Sequence, residues 1–396
     1  MPELIDQLKS EMNARFCANP ADVRFVRSPY RICPLGAHID HQNGPVTAMA
    51  IDQAVYLSYV PSTDASIHLQ SLTFDGEVHF TLNDVPDKKE GDWGNFPRGA
   101  VRALQQQNHH LKNGIMGITA GRMNEGGLSS SAAIGVAYLL AFENANNITV
   151  SPTDNIRLDQ AIENGYLGLK NGILDQSAIL LSRKGSLTLI DCASVTHELI
   201  PQSDAMPEYD ILIAQSGLRD ALVSTGYNTR VDECAAAAQT LLEAVGSTDQ
   251  SPILGHITHE EYEIHKSKLS GPPAKRAKHF FTESARVHQG IDAWRKGDLT
   301  NFGKLIAESG RSSIENYECG SEPLIDLYHI LIETDGVYGA RFSGAGFRGC
   351  CVALIDPAKS NTAIEHIQSA YATKHPDLAK NAPVFTCQPD NGACIL

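Results

Sequence analysis

The chain has no Cys-x-x-Cys pair, no apolar run approaching the roughly 18 residues of a membrane-spanning helix, and no surplus of basic residues. Nine cysteines lie scattered along 396 residues, with one adjacent couple, Cys350 and Cys351. An odd number without paired spacing argues against a disulfide framework and for a reducing compartment. The opening residues, MPELIDQLKSEMNARF, read as a charged amphipathic helix and not as a secretory leader, so the cytoplasm is the expected location. Thirty-two Lys and Arg stand against 46 Asp and Glu, a net charge of −14. That field repels nucleic acid and anionic membrane, and small-molecule substrates are the expected partners of a monomer or weak homo-oligomer. A Walker A loop is also lacking. The nearest approach, Gly297 through Leu305, has one residue too many and no Ser or Thr to hold magnesium, which excludes a P-loop NTPase.

What is present is an ordinary folded composition, 42% hydrophobic and 20% charged, in a chain longer than one hydrophobic core usually organises. Two domains are expected, residues 1–195 and 196–396. Alternating or β-branched stretches at 24–27, 54–60, 66–72 and 77–82 predict strands of a mixed sheet. Helices are predicted over 97–111 and 128–146, the second rich in small residues that permit close packing. Ser151, Pro152 and Asp154 form a helix start, and that helix should carry Glu163. Later, strands at 187–191, 210–214, 337–342 and 350–355 interleave with helices at 274–294, 299–309 and 361–371, the pattern of an α+β fold.

Three segments carry chemistry. Gly126-Gly127-Leu128-Ser129-Ser130-Ser131-Ala132-Ala133 opens a strongly helical run. Glycines let backbone N–H groups approach a ligand, hydroxyls add donors, and the positive end of the helix dipole faces the same point, a set suited to phosphate. The same string also reads as a Ser-capped helix behind a turn. Gly344-Ala345-Gly346-Phe347-Arg348-Gly349 satisfies the dinucleotide fingerprint GxGxxG, but a strand follows it where that fold requires a helix. Its glycines make a tight turn between strands, able to brace the phosphate loop or the substrate. The third segment is Ser28-Pro29-Tyr30-Arg31-Ile32-Cys33-Pro34-Leu35-Gly36-Ala37-His38-Ile39-Asp40-His41. His38, Asp40 and His41 are residue types of a metal site, yet no second His or Cys cluster accompanies them, and contacts to sugar hydroxyls suit them better. Arg31, beside a Pro-bounded turn, is a permanent cation fit for carboxylate or phosphate.

In this order and separation the three segments resemble the signature motifs of the GHMP small-molecule kinases, specifically the galactokinase branch. Asn171-Gly172-Ile173-Leu174-Asp175-Gln176 is similar to that family's catalytic-aspartate segment, and the resemblance covers the whole chain. It implies a two-domain fold, with an N-terminal domain like the second domain of ribosomal protein S5, a ferredoxin-like C-terminal domain and the active site between them. One departure stands out. Galactokinases carry an acid before the signature His, toward the sugar C6 hydroxyl, and this chain has Ala37. A methyl in place of a carboxylate removes like-charge repulsion against a substrate that is itself a C6 carboxylate. Ala345 and Arg348 also depart from family glycines.

The resemblance implies transfer of the ATP γ-phosphoryl group to the anomeric hydroxyl of D-galacturonate. The alternatives are a kinase for galactose or an amino sugar, and a non-catalytic sugar sensor of the same fold. Asp175 and Arg31 are the implied catalytic pair, with Asp175 acting as base or mainly by orientation and electrostatics. Gly126, Gly127, Leu128, Ser129, Ser130, Ser131 and Ala132 are implied to hold the ATP phosphates, and Ser131 and Glu163 to hold Mg2+. Ala37, His38, Asp40, Tyr227, Gly344 and Ala345 are implied at the sugar, with Arg219 and Arg348 as candidate partners of its carboxylate.

Overall fold

The computed structural model describes residues 2–121, 126–218, 224–247 and 249–396. Strand β1 (Arg24–Ile32) pairs antiparallel with the long β2 (Val46–Ser62), which pairs in turn with β5 (Gly114–Ala120). β3 (Ser66–Ser71) lies parallel to β5 and antiparallel to β4 (Val78–Thr81). The far half of β2 turns to a second partner, β6 (Ser186–Asp191), and β7 (Thr196–Pro201) pairs with β6. Helix Ser130–Ala145 packs on β1 and β2, its face of small residues almost wholly buried. The opening helix, Pro2–Phe16, covers the other side, where Leu8 and Met12 join Phe25, Tyr56 and Ile118 in a small separate cluster.

The strand expected over 24–27 runs on through Pro29 to Ile32, and the chain bends only afterwards, at Pro34 and Leu35. The pairing register shifts between Pro29 and Arg31, a bulge that accommodates a residue without an N–H to give to the ladder. Arg31 therefore projects from the interior of a strand and is 2% exposed.

The second sheet is antiparallel in the order β11 (Val384–Cys387), β8 (Asp210–Gln215), β10 (Cys350–Ile355), β9 (Val337–Phe342). Helices Leu299–Glu315 and Glu322–Glu333 pack on β9, and Ser360–Lys374 packs on β11. Helix Gly271–Lys296, which starts three residues earlier than expected, joins the two units. Its Gly290 admits Leu35 and Phe302, and its Trp294 Nε1 donates to the Ile200 carbonyl at 3.1 Å.

Sheet membership does not divide at residue 195. β7 extends the first sheet to Pro201, and the chain end returns to it as β12 (Pro389–Asp390) on β2 and β13 (Cys394–Ile395) on β1. No helix among the described residues is long and apolar enough to cross a membrane, and no disulfide joins the nine cysteines.

Candidate active site

The three segments meet around one cavity of about 400 Å³ where the two units face each other. Helix Ser130–Ala145 begins at its edge. Ser129 has left-handed backbone (φ 59°) and its side chain does not cap the helix. The hydroxyl donates instead to Asp175 Oδ2 at 2.5 Å and so leaves the first N–H groups of the helix uncapped by Ser129. Of the two readings the sequence left open, a Ser cap and a phosphate loop, the cap by the Ser129 side chain is not formed.

The second glycine segment packs directly on the first. A Cβ at Gly127 would stand 2.9 Å from Cys350 Sγ and 3.0 Å from the Ser343 carbonyl, and one at Gly344 would stand 3.0 Å from Gly127 Cα. Ser343 Oγ donates to the Gly127 carbonyl at 2.6 Å. These glycines are required by close backbone approach and by positive φ, and they brace the loop.

Asp175 opens helix Leu174–Leu181. Its Oδ1 accepts from Arg31 Nε at 2.8 Å, and Arg31 Nη1 donates to the Gly127 carbonyl at 3.1 Å, so one guanidinium ties the carboxylate to the loop. Burial works against the Arg31 cation, and Asp175 more than offsets it, leaving its pKa above the ordinary value. Glu163 sits in a π-helical turn, Ala161–Tyr166, at the end of the Ser151-capped helix. Its carboxylate accepts from Ser131 Oγ at 2.7 Å and Asn171 Nδ2 at 3.1 Å. Burial, with the Asp175 charge adding, pushes it up to about 7.

At the other end of the cavity stand Ala37, His38, Asp40 and Tyr227. Asp40 Oδ2 accepts from the Leu174 amide at 3.3 Å, an approach allowed by the absent side chain of Gly172. Burial and the Asp175 charge push Asp40 up to about 6. His38 stacks on Tyr317 with ring centroids 4.3 Å apart, and its Nε2 lies 3.6 Å from Cys319 Sγ. Burial holds His38 well below the usual imidazole range and lowers His41 to about 4, so both stay neutral donors or acceptors. Burial likewise raises the Tyr227 hydroxyl, which keeps its proton.

Of the residues expected here, Arg31, Ala37, His38, Asp40, Gly126, Gly127, Ser129, Ser130, Ser131, Asp175, Tyr227, Gly344, Ala345 and Arg348 line the cavity. Glu163 stands behind Ser131. The Leu128 and Ala132 side chains are buried in the core, and the Leu128 carbonyl accepts from the Arg31 amide at 3.3 Å. Arg348 is at the exposed rim, and Arg219 lies outside the described residues. His38, Asp40 and His41 do not form a metal-binding group. Among the described residues, the one such group is His68, Glu77 and His79, remote in sequence from the three segments. Tyr317, His279 and Arg341 were not singled out by the sequence. His279 Nε2 hydrogen-bonds the Ala37 carbonyl at 3.0 Å, a contact across 242 positions with no local signal. Arg341 stands in β9, three positions before Gly344 of the second glycine segment, and that proximity was the available clue.

Comparison with known proteins agrees with this geometry. The GHMP kinases N terminal domain matches residues 95–183, the GHMP kinases C terminal domain residues 291–373, and the galactokinase galactose-binding signature residues 13–61. The chain is 49% identical to a galacturonokinase of Arabidopsis thaliana, over 99% of this chain and 97% of that one. It is 32% identical to a galactokinase of Clostridium beijerinckii, over 94% and 95%. The crystal structure of Lactococcus lactis galactokinase complexed with galactose superposes with a TM-score of 0.91 at 26% identity, covering 99% of each chain. A glycine- and serine-rich helix start braced by a second glycine segment, an aspartate held by an arginine between them, and relatives aligned over nearly their full length together place the chain in the GHMP kinase family, in its galactokinase branch.

Proposed function

We propose that the chain is an ATP-dependent galacturonate 1-kinase. The anomeric hydroxyl oxygen attacks the γ-phosphorus of ATP, the bond from that phosphorus to the ADP oxygen breaks, and the hydroxyl proton passes toward the Asp175 carboxylate. Catalysis of this kind is mostly positioning and charge stabilisation. Arg31 and Ser129 each hold one oxygen of Asp175 and so orient it, while the free helix N–H groups and Arg31 face the transferring charge.

Magnesium suits the donor set of Ser131 and Glu163. Both offer oxygen, and a buried carboxylate pushed up to about 7 beside a second acid is an arrangement that a cation relieves. Held there by Ser131 and Glu163, it would supply positive charge against the phosphate oxygens.

The observation that carries the acceptor assignment is Ala37, whose small side chain lines the cavity next to His38 and Asp40, where galactokinases have an acid. The 49% identity to a galacturonokinase supports it. Galactose is a second reading, favoured by the match to the galactose-binding signature. Rates of ADP formation with galacturonate, galactose and glucuronate decide between them: a higher kcat/KM for galactose than for galacturonate overturns the uronate reading. The unpaired spacing of the cysteines supports a cytoplasmic location.

A further inference from the structure

The buried wall of the cavity contains a cation with too few partners. Arg341, at the end of β9, lines the cavity together with Ala37 and His38 and is only 1% exposed. Its Nε donates to the Phe342 carbonyl at 2.9 Å. Its Nη1 has no hydrogen-bond partner, and the nearest carboxylate oxygen, Glu283 Oε1, is 4.0 Å away. That oxygen is already occupied. It accepts from the Gly36 amide at 2.8 Å and from Ser309 Oγ at 2.6 Å, while the other oxygen of Glu283 is held by Arg286 at 2.7 Å.

The charges follow from this. Two guanidiniums, Arg286 and Arg341, share one carboxylate, which leaves one buried positive charge uncompensated. The neighbouring imidazoles do not change the balance, because burial keeps His38 and His279 neutral and Arg341 helps to do so. Asp40 bonds the Leu174 amide and forms no ion pair with Arg341. A buried guanidinium lacking a hydrogen bond is costly, and an anion that reaches it from the cavity gains what the protein itself does not supply.

We infer that Arg341 receives the C6 carboxylate of the sugar acid. This rests on the acceptor proposed above and identifies the residue that selects it. Residue 37 is alanine, so the anion comes from the substrate and not from the chain. The His279 bond to the Ala37 carbonyl fixes that segment against helix Gly271–Lys296, which holds the methyl at the cavity wall. Arg348 is the weaker candidate because it is exposed at the rim, where water screens the pair; at the buried position the same charge-assisted bond is stronger.

The test is a ratio between two sugars of nearly equal shape, galacturonate and its neutral C6 amide, assayed with the full chain and MgATP. Wild type should favour the acid. In Arg341→Gln the acid-to-amide ratio of kcat/KM should fall about tenfold to a hundredfold, mainly through KM for the acid, with Arg341→Lys in between. A residue acting only on the fold would lower both sugars together. If wild type favours the acid but both Arg341 variants keep its ratio, Arg341 is not the partner and the acceptor assignment stands. If wild type does not use galacturonate, the acceptor assignment itself fails and this inference falls with it. Should the variants not fold, crystals of wild type soaked with galacturonate decide: a carboxylate oxygen within about 3.2 Å of Arg341 Nη1 supports the inference, and a carboxylate turned to Arg348 or to solvent overturns it.

Discussion

The Ser343 hydroxyl donates to the Gly127 carbonyl at 2.6 Å, joining two loops 216 positions apart. Arg31 Nη1 reaches the same carbonyl, and it lies 3.3 Å from Ser343 Oγ. The Gly126–Ser131 segment is thus shaped from outside itself. Ser343→Ala should cost about 1 kcal/mol of stability and raise KM for ATP several-fold, with kcat less affected. Gly349→Ala should be worse, since its φ of 91° disfavours a side chain and the new Cβ would overlap the Gly126 carbonyl carbon. Thermal melting and nucleotide titration check both.

Asp175 carries two burdens, and they separate by substitution. Asp175→Ala should lower kcat by about 10²- to 10⁴-fold while leaving nucleotide binding in place. It also strands Arg31, which is 2% exposed, at a cost of about 3 kcal/mol or more. Asp175→Asn should be nearly as inactive but closer to wild type in melting temperature, because its amide oxygen still accepts from Arg31. Retained turnover in either variant would remove Asp175 from the chemistry.

Ala37→Glu places an acid where the substrate carboxylate is expected. At about 4 Å, and with the effective dielectric of a protein site, two like charges repel by about 4 kcal/mol, so galacturonate kcat/KM should fall at least about a hundredfold relative to galactose. Equal losses for both sugars would mean that residue 37 does not face C6.

One part of the pH dependence should follow Asp40, raised by burial and by Asp175 from 3.8 to about 6, and comparison with Asp40→Asn separates it from the part due to Glu163. Its folded pKa lies above its unfolded one, so between pH 4 and 6 the folded chain binds more protons, and the Asp40 contribution to stability declines as pH rises through that window. Above pH 6 the folded state carries the full cost of an ionised Asp40, about 3 kcal/mol by the two-unit shift. Asp40→Asn should therefore gain stability over wild type between pH 5 and 7, measured by melting without ligand. It should also bind sugar more weakly at neutral pH, where wild type offers a carboxylate to the sugar hydroxyls. Wild-type KM for the sugar should rise below pH 6, and that rise should vanish in Asp40→Asn.

The parts of the site readable in the sequence are those with local causes. Glycines that need positive φ, a run of serines opening a helix of small residues, and the Ser151 cap, which accepts from the Asp154 amide as expected, all act within a few positions. The first strand was read as ending at residue 27 because Pro29 speaks locally against a ladder, whereas pairing with β2 absorbs it as a bulge. The two-residue strands β12 and β13 have no local signal, since only the partners β1 and β2 make them strands.

The motifs in their order carried the resemblance to the family, and through it pointed to many of the residues that line the cavity, because each motif is a short contiguous segment that can be matched without knowing the fold. Which buried charges are balanced was decided only by the tertiary structure. Glu283, Arg286 and Arg341 come from two separate stretches of chain, and only their packed distances show that Glu283 is held by Arg286 while Arg341 Nη1 lacks a hydrogen-bond partner. Electrostatic pairing depends on separation in space and on exclusion of water, and a linear sequence records neither.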